Sequence, residues 1–237
     1  MTEHTQYFGF RISEALYKRA GRHIDQVLNG TITPQLVEDI ANNLIAITNA
    51  GLDAYYNKPR DLIEISPVVR KAADAGIHAV TKGVHLVIRK VITRAAKGEL
   101  QTMAHYIKSL LTADHKGNFY VTFPLGAELH DLALELLAEV RANANVDTYR
   151  EDIVQALYRL IDAGIDAYYY QPVGMIQLGK LTRKTADVGI NTAQKGTNSV
   201  IRRIFKVLGH QEMLPLTNYF ETLLHRDLNP YNGPTVA

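Results

Sequence analysis

Ala50-Gly51-Leu52-Asp53-Ala54-Tyr55-Tyr56, followed by Pro59, returns 113 residues later as Ala163-Gly164-Ile165-Asp166-Ala167-Tyr168-Tyr169, followed by Pro172. The match extends outward from this stretch. Arg70-Lys71, Ala73-Asp74 and Gly76-Ile77 return as Arg183-Lys184, Ala186-Asp187 and Gly189-Ile190. Lys82-Gly83 and Val87-Ile88-Arg89 return as Lys195-Gly196 and Val200-Ile201-Arg202. Between positions 38 and 92, 23 of 55 pairs are identical at this single ungapped offset, which chance does not produce. The chain reads as one sequence written twice, over residues 1–113 and 114–226, with a tail over 227–237. This period exceeds the roughly 20–50 residues of solenoid repeats and leaves each copy enough chain for its own core.

The hydropathy pattern within a copy predicts a short strand and four helices. Tyr7-Phe8-Gly9-Phe10-Arg11-Ile12 alternates as a strand does. Ser13 caps a first helix that ends at Asn29-Gly30, and Thr33-Pro34 opens a second that runs to about residue 57, where Pro59 stops it. Ser66-Pro67 starts a third helix, and a fourth follows the break at Gly98. Copy two repeats the plan, with a strand near 119–123 and helices near 125–142, 148–170, 179–208 and 212–226. The expected fold is all-α: a tandem duplication of a four-helix unit, each preceded by a short strand, with pseudo-two-fold symmetry. The two strands are expected to pair across the axis, and the tail is expected to be irregular. The strand–helix–helix opening is similar in element order to paired ribbon-and-helix DNA binders.

Composition is that of a globular protein, 46% hydrophobic and 21% charged. No apolar run approaches the ~18 residues of a membrane span. Residues 1–6 lack the features of a signal peptide, and the absence of cysteine excludes disulfides and thiolate chemistry, so the cytoplasm is the expected location.

The third helix carries the most chemical information. On a helical wheel, Val69, Ala73, Ile77, Val80, Val84, Ile88 and Val91 form a core face. Beside it runs a strip of small residues, Ala72, Gly76, Ala79 and Gly83, matched by Thr185, Gly189, Thr192 and Gly196. Glycine costs about 1 kcal/mol against alanine inside a helix, so glycines kept in both copies predict close approach of another backbone. A polar stripe of Lys71, Asp74, His78, Lys82, His85 and Arg89 becomes Lys184, Asp187, Asn191, Lys195, Asn198 and Arg202. Positions 67–97 and 179–206 each carry seven basic residues and one acid, while the rest of a chain of net charge +2 stands at −10. Three readings follow. Acids such as Glu38, Asp39 and Asp53 on the second helix neutralise the stripe internally. Alternatively, the stripes bind an anionic partner: nucleic acid, a phosphorylated ligand or an acidic protein face. The third is a small-molecule or metal-dependent site in copy one, around Asp74, His78 and Lys82, with Asp74 orienting His78.

His78, His85 and His105 each become asparagine in copy two, as though only one copy had kept a site. His78 and His85 lie about 10.5 Å apart along the helix, too far for one metal, and the flanking lysines oppose a cation. The chain has no metal-ligand spacing, phosphate loop, nucleophile elbow or dinucleotide fingerprint, so neither a cofactor nor a catalytic residue is assigned. The Asp-Ala-Tyr-Tyr repeat predicts buried tyrosines with salt bridges from Asp53. It also admits a polar pocket lined by Asp53, Tyr56, Lys71 and Asp74, repeated as Asp166, Tyr169, Lys184 and Asp187. Finally, Lys18 and Arg22 correspond to Asp131 and Glu135, a reversal that predicts antiparallel contact of the two first helices through Lys18–Glu135 and Arg22–Asp131. The reading that emerges is a non-enzymatic helical binding protein that engages an anionic partner through its basic third helices.

Overall fold

The computed structural model describes residues 5–231, without the side chains at 180–182 and 185. Elements follow in the order β1 (Gln6–Ile12), α1 (Glu14–Leu28), α2 (Pro34–Leu52), a π-helical turn (Asp53–Asn57), α3 (Lys58–Asp61), α4 (Pro67–Ile92) and α5 (Lys97–Leu110). Then come β2 (Leu111–Ala113), β3 (Phe119–Pro124), α6 (Ala127–Ala142), a 3-10 turn (Val146–Thr148), α7 (Arg150–Ile165), a second π-helical turn (Asp166–Tyr170) and α8 (Gln171–Gly174). The chain closes with α9 (Lys180–Val207), α10 (His210–Glu221), β4 (Leu224–Arg226) and β5 (Asn229–Pro230). Predicted starts fall where capping chemistry put them. Ser13 accepts a hydrogen bond from the Leu16 amide at 3.2 Å, and Thr33 accepts one from Leu36 at 3.1 Å.

The protein is mostly helical, but it contains more sheet than the expected all-α fold. Five antiparallel strands lie in the order β4-β1-β3-β2-β5. The central pair, β1 and β3, is the one expected from the sequence, and Gly9 sits opposite Thr122, its counterpart 113 positions on. The register requires a small residue there: a Cβ on Gly9 would lie 2.3 Å from the Val121 carbonyl oxygen and 2.6 Å from Thr122 Cα. The fourth helix of copy two stops at Glu221, and the residues expected to continue it pair with β1 as β4. In the tail, Asn229–Pro230 pairs with β2 and Tyr231 is buried, its hydroxyl donating to Asp25 at 2.8 Å. Residues 232–237 lie outside the described residues.

One face of the sheet is the centre of the core. Phe8, Phe10, Ile12, Val121 and Phe123 are buried against the π-helical turns. Tyr55 stacks on Phe8 at 5.5 Å between centroids and meets Phe10 edge-on at 5.3 Å, while Tyr168 meets Phe123 edge-on at 5.4 Å. A second cluster, with Val140, Tyr149, Phe205, Leu208 and Met213, joins α6, α7, α9 and α10.

Two packing expectations are overturned. The small strip on α4 receives no neighbouring backbone. A Cβ added at Gly76, Gly83, Gly189 or Gly196 would meet no atom within 4 Å, and Ala72, Ala79 and Thr192 are exposed. The side chain of Thr185 lies outside the described residues. The wheel could not distinguish a crevice from an open surface, because small residues suit both. The first helices likewise do not pair through their reversed charges. Lys18 bridges Glu14 one turn earlier at 2.6 Å, and Asp131 accepts from Arg226 of β4 at 3.3 Å. Each first helix packs on the fourth helix of its own half, α1 on α5 and α6 on α10.

Candidate functional site

The repeated motif folds as a π-helical turn, and its proline explains why. In π geometry the amide five residues on bonds each carbonyl, as Lys58 does to Asp53 and Gln171 does to Asp166. The next carbonyls, Ala54 and Ala167, would need amides from Pro59 and Pro172, which have none. Tyrosine hydroxyls supply the missing donors: Tyr219 donates to Ala54 O and Tyr106 to Ala167 O, both at 2.7 Å. Each tyrosine comes from the opposite half of the chain. Pro59 therefore does not stop the helix as expected; the chain continues through α3 because a side chain replaces the lost amide. The hydroxyls of Tyr55 and Tyr168 meet at 3.4 Å, and burial pushes both above the ordinary tyrosine range.

The next tyrosine ties the third helix to this turn. Tyr56 donates to Asp74 at 2.9 Å, and Tyr169 donates to Asp187 at the same distance. In the first half Arg60 also donates to Asp74 at 2.7 Å, and these two donors hold the Asp74 carboxyl below its usual range. Burial, reinforced by Asp74, pushes the Tyr56 hydroxyl up to about 12. In the second half Arg183 stands 4.0 Å from Asp187.

The expected polar pocket is thus only partly assembled. Tyr56 and Asp74 meet, whereas Asp53 faces Lys58 at 3.5 Å and Lys71 is exposed away from both. Asp166 accepts from Gln171 at 3.1 Å, and Lys184 is exposed like Lys71. Asp74 does not orient His78, because it is engaged by Tyr56 and Arg60; His78 is exposed. His85 bonds Asn49 at 2.9 Å, and no three metal-ligating side chains gather among the described residues.

Nor does the expected acid layer cover the basic stripe in the first half. Arg89 donates to Asn42 at 2.9 Å, while Asp39 accepts from Gln35 at 3.0 Å. The second half comes closer to that expectation, with Arg202 standing 3.7 Å from Glu151, the counterpart of Glu38. Lys71, Lys82, Lys90, Lys184, Lys195 and Arg203 are exposed, and none has an acid partner among the described residues. His85 and Arg89 bond α2, and Asp74 bonds Tyr56 of the π-helical turn and Arg60 of α3, so the stripe read as one face splits in two. Its inward edge bonds these elements, and on its outward edge Lys71 and Lys82 have no bonded partner among the described residues. Val68 and Leu86, 79% and 70% exposed, lie on that outward face with the small strip beside them. Val87 of α4 packs against the cluster of Tyr169, Val173 and Ala186, which brings α4 alongside α9.

Arg60, Tyr106 and Tyr219 were not singled out from the sequence. Tyr106 and Tyr219 are identical at the 113 offset, so the repeat did carry their signal. Arg60 faces Val173 across the repeat and gave none. Comparison with known proteins adds no assignment: no family model, curated protein or solved structure matches the chain. No helix among the described residues is long and apolar enough to cross a membrane.

Proposed function

We propose that the chain is a fused pair of one strand-and-four-helix unit related by a pseudo-two-fold axis, and that the outward faces of α4 and α9 together dock on an extended polyanion, the phosphate backbone of nucleic acid. The reading places the protein in the cytoplasm and gives it a binding role rather than a catalytic one. The observation that carries it is the set of exposed cations on two neighbouring helices, Lys71, Lys82, Lys90, Lys184, Lys195 and Arg203 among them, that have no acid partner among the described residues, while the helices' own acids, Asp74 and Asp187, are engaged by tyrosines. An array of exposed cations attracts a polyanion, and releasing the polyanion's counterions favours the complex.

The layout favours an extended partner over a small phosphorylated ligand. Lys71 and Lys82 stand about 16 Å apart along the axis, and Lys71 and Lys90 about 28 Å, at 1.5 Å per residue. One phosphate group could touch only one or two of these cations. The small residues between them keep the surface open to a close-lying backbone. The rival site around Asp74, His78 and Lys82 lacks support from the geometry, because Asp74 is already bonded and His78 and Lys82 face solvent.

The test is fluorescence anisotropy with a labelled 20-base-pair duplex at ~50 mM salt, on the wild type and on a Lys71→Gln, Lys82→Gln, Lys184→Gln, Lys195→Gln variant. Micromolar or tighter binding that weakens at least tenfold in the variant supports the proposal. Equal affinity in the two proteins, or no binding by the wild type, contradicts it.

A further inference from the structure

The two halves of the chain meet through counterpart residues. Gly9 of β1 sits opposite Thr122 of β3, 113 positions on. The hydroxyls of Tyr55 and Tyr168 lie 3.4 Å apart. Tyr219 donates to Ala54 O while Tyr106 donates to Ala167 O, so donor and acceptor exchange halves between the two bonds. Self-pairing and reciprocal contacts of this kind are what a two-fold axis produces. The same axis relates α4 to α9, and these helices pack side by side, so it emerges from the molecule between them.

The outward cations follow the same relation. Lys71, Lys82 and Lys90 of α4 have Lys184, Lys195 and Arg203 of α9 as counterparts, and all are exposed. A polyanion lying across this face therefore meets one pattern of charge twice, in opposite directions. A duplex answers both patterns alike. Its strands run antiparallel, and its backbone has a two-fold axis at every base pair, whatever the sequence. A single strand runs one way and presents its phosphates in the same sense to only one of the two helices. Binders of single strands also stack bases on exposed aromatic rings. The sequence of α4 contains no Phe, Tyr or Trp, and Phe205 of α9 is buried. Tyr170, beside α9, has its hydroxyl bonded to Asn191 and its ring edge-on to Tyr169.

We propose that the polyanion is a nucleic-acid duplex, bound without regard to its sequence, with the protein's pseudo-two-fold axis on a dyad of the duplex so that α4 contacts one strand and α9 the other. This rests on the reading of α4 and α9 as a polyanion face. The test compares, by fluorescence anisotropy at ~50 mM salt, wild-type binding to two ~20-base-pair duplexes of unrelated sequence and to a ~40-nucleotide thymidine strand, which carries a similar number of phosphates. The two duplexes should bind within about threefold of each other, and the strand at least about tenfold more weakly. Two further variants separate the helices: Lys71→Gln with Lys82→Gln on α4, and Lys184→Gln with Lys195→Gln on α9. Each removes the same part of one symmetric site, so the two should weaken duplex binding by factors that agree within about threefold. A smaller gap between duplex and strand, a preference between the duplexes, or losses that differ more widely between the two variants would overturn the duplex assignment and leave the polyanion reading standing. Binding to none of the three nucleic acids would overturn both.

Discussion

Gly9 and Gly76 sit in regions built on opposite principles. Around Gly9, on the sheet and the π-helical turns, retained groups are engaged. A Cβ would strike the Val121 carbonyl, and the retained tyrosines at 55, 56, 106, 168, 169 and 219 all make hydrogen bonds. Around Gly76, on the outer layer of α4 and α9, a Cβ on the retained glycines would meet nothing within 4 Å, and retained Lys71 and Lys82 have no bonded partner among the described residues. Of the 26 residues of α4 only Ala73, Val91 and Ile92 are buried, so this long helix contributes little to the core. Two copies of a sequence can keep a residue because the fold needs it or because something outside the fold does. The contrast separates positions that the fold engages from positions that it leaves open.

The largest test of the contrast is Gly9→Val. Overpacking a closed position costs typically 1–3 kcal/mol, and the clash here is with backbone, so urea unfolding should show a loss of about 3 kcal/mol. Next is Tyr219→Phe, which leaves the Ala54 carbonyl without a donor and should cost about 2 kcal/mol, within the range for an orphaned buried polar group. Adding Pro59→Ala supplies an amide at the position that lacked one, so the double variant should recover part of the loss. Full additivity of the two changes would break the account of the π turn.

On the outer layer the sign reverses. Gly76→Ala should stabilise by up to about 1 kcal/mol, because nothing approaches the position and alanine is the better helix former. Destabilisation there would restore the packing role that the open surface denies.

The smallest effect is in pH. Burial lowers the pKa of His23 below its ordinary value, outweighing the attraction of Asp39 that would raise it; Arg22 and Arg19 lower it further. The unfolded chain therefore binds more protons than the folded one near the ordinary histidine pKa. Stability should be full above about pH 6.5 and fall as the solution is acidified below it. His225, also lowered by burial, acts in the same direction. His23→Leu, which installs the residue of the second half, should make the acid side of the profile shallower, as measured by melting temperature between pH 5 and 8.

The helices were legible because their starts are local. Ser13, Thr33 and Ser66 each cap the helix that the spacing predicts. The central strand pair was legible from alternation. The outer strands were not, because Leu111–Ala113 and Leu224–Arg226 are three residues long and are defined by pairing with β3 and β1. The π turns escaped notice for a related reason: a proline five residues after an alanine looks like a helix stop until a distant tyrosine is found to replace its amide. At the site, the repeat correctly marked Tyr56, Asp74, Lys71 and Lys82 as retained. It could not say that Tyr56 and Asp74 turn inward together while Lys71 and Lys82 turn out. That division depends on where α2 lies against α4, and one helix wheel contains no such information.

The most direct measurement of the central claim is the salt dependence of duplex binding. Six phosphate contacts predict a slope of log affinity against log salt of about −5, a loss of roughly 10³ between 50 and 200 mM, and the fourfold Lys→Gln variant should flatten it to about −2. A wild-type slope near zero, or one that the four substitutions leave unchanged, would contradict the assignment of α4 and α9 as the polyanion face.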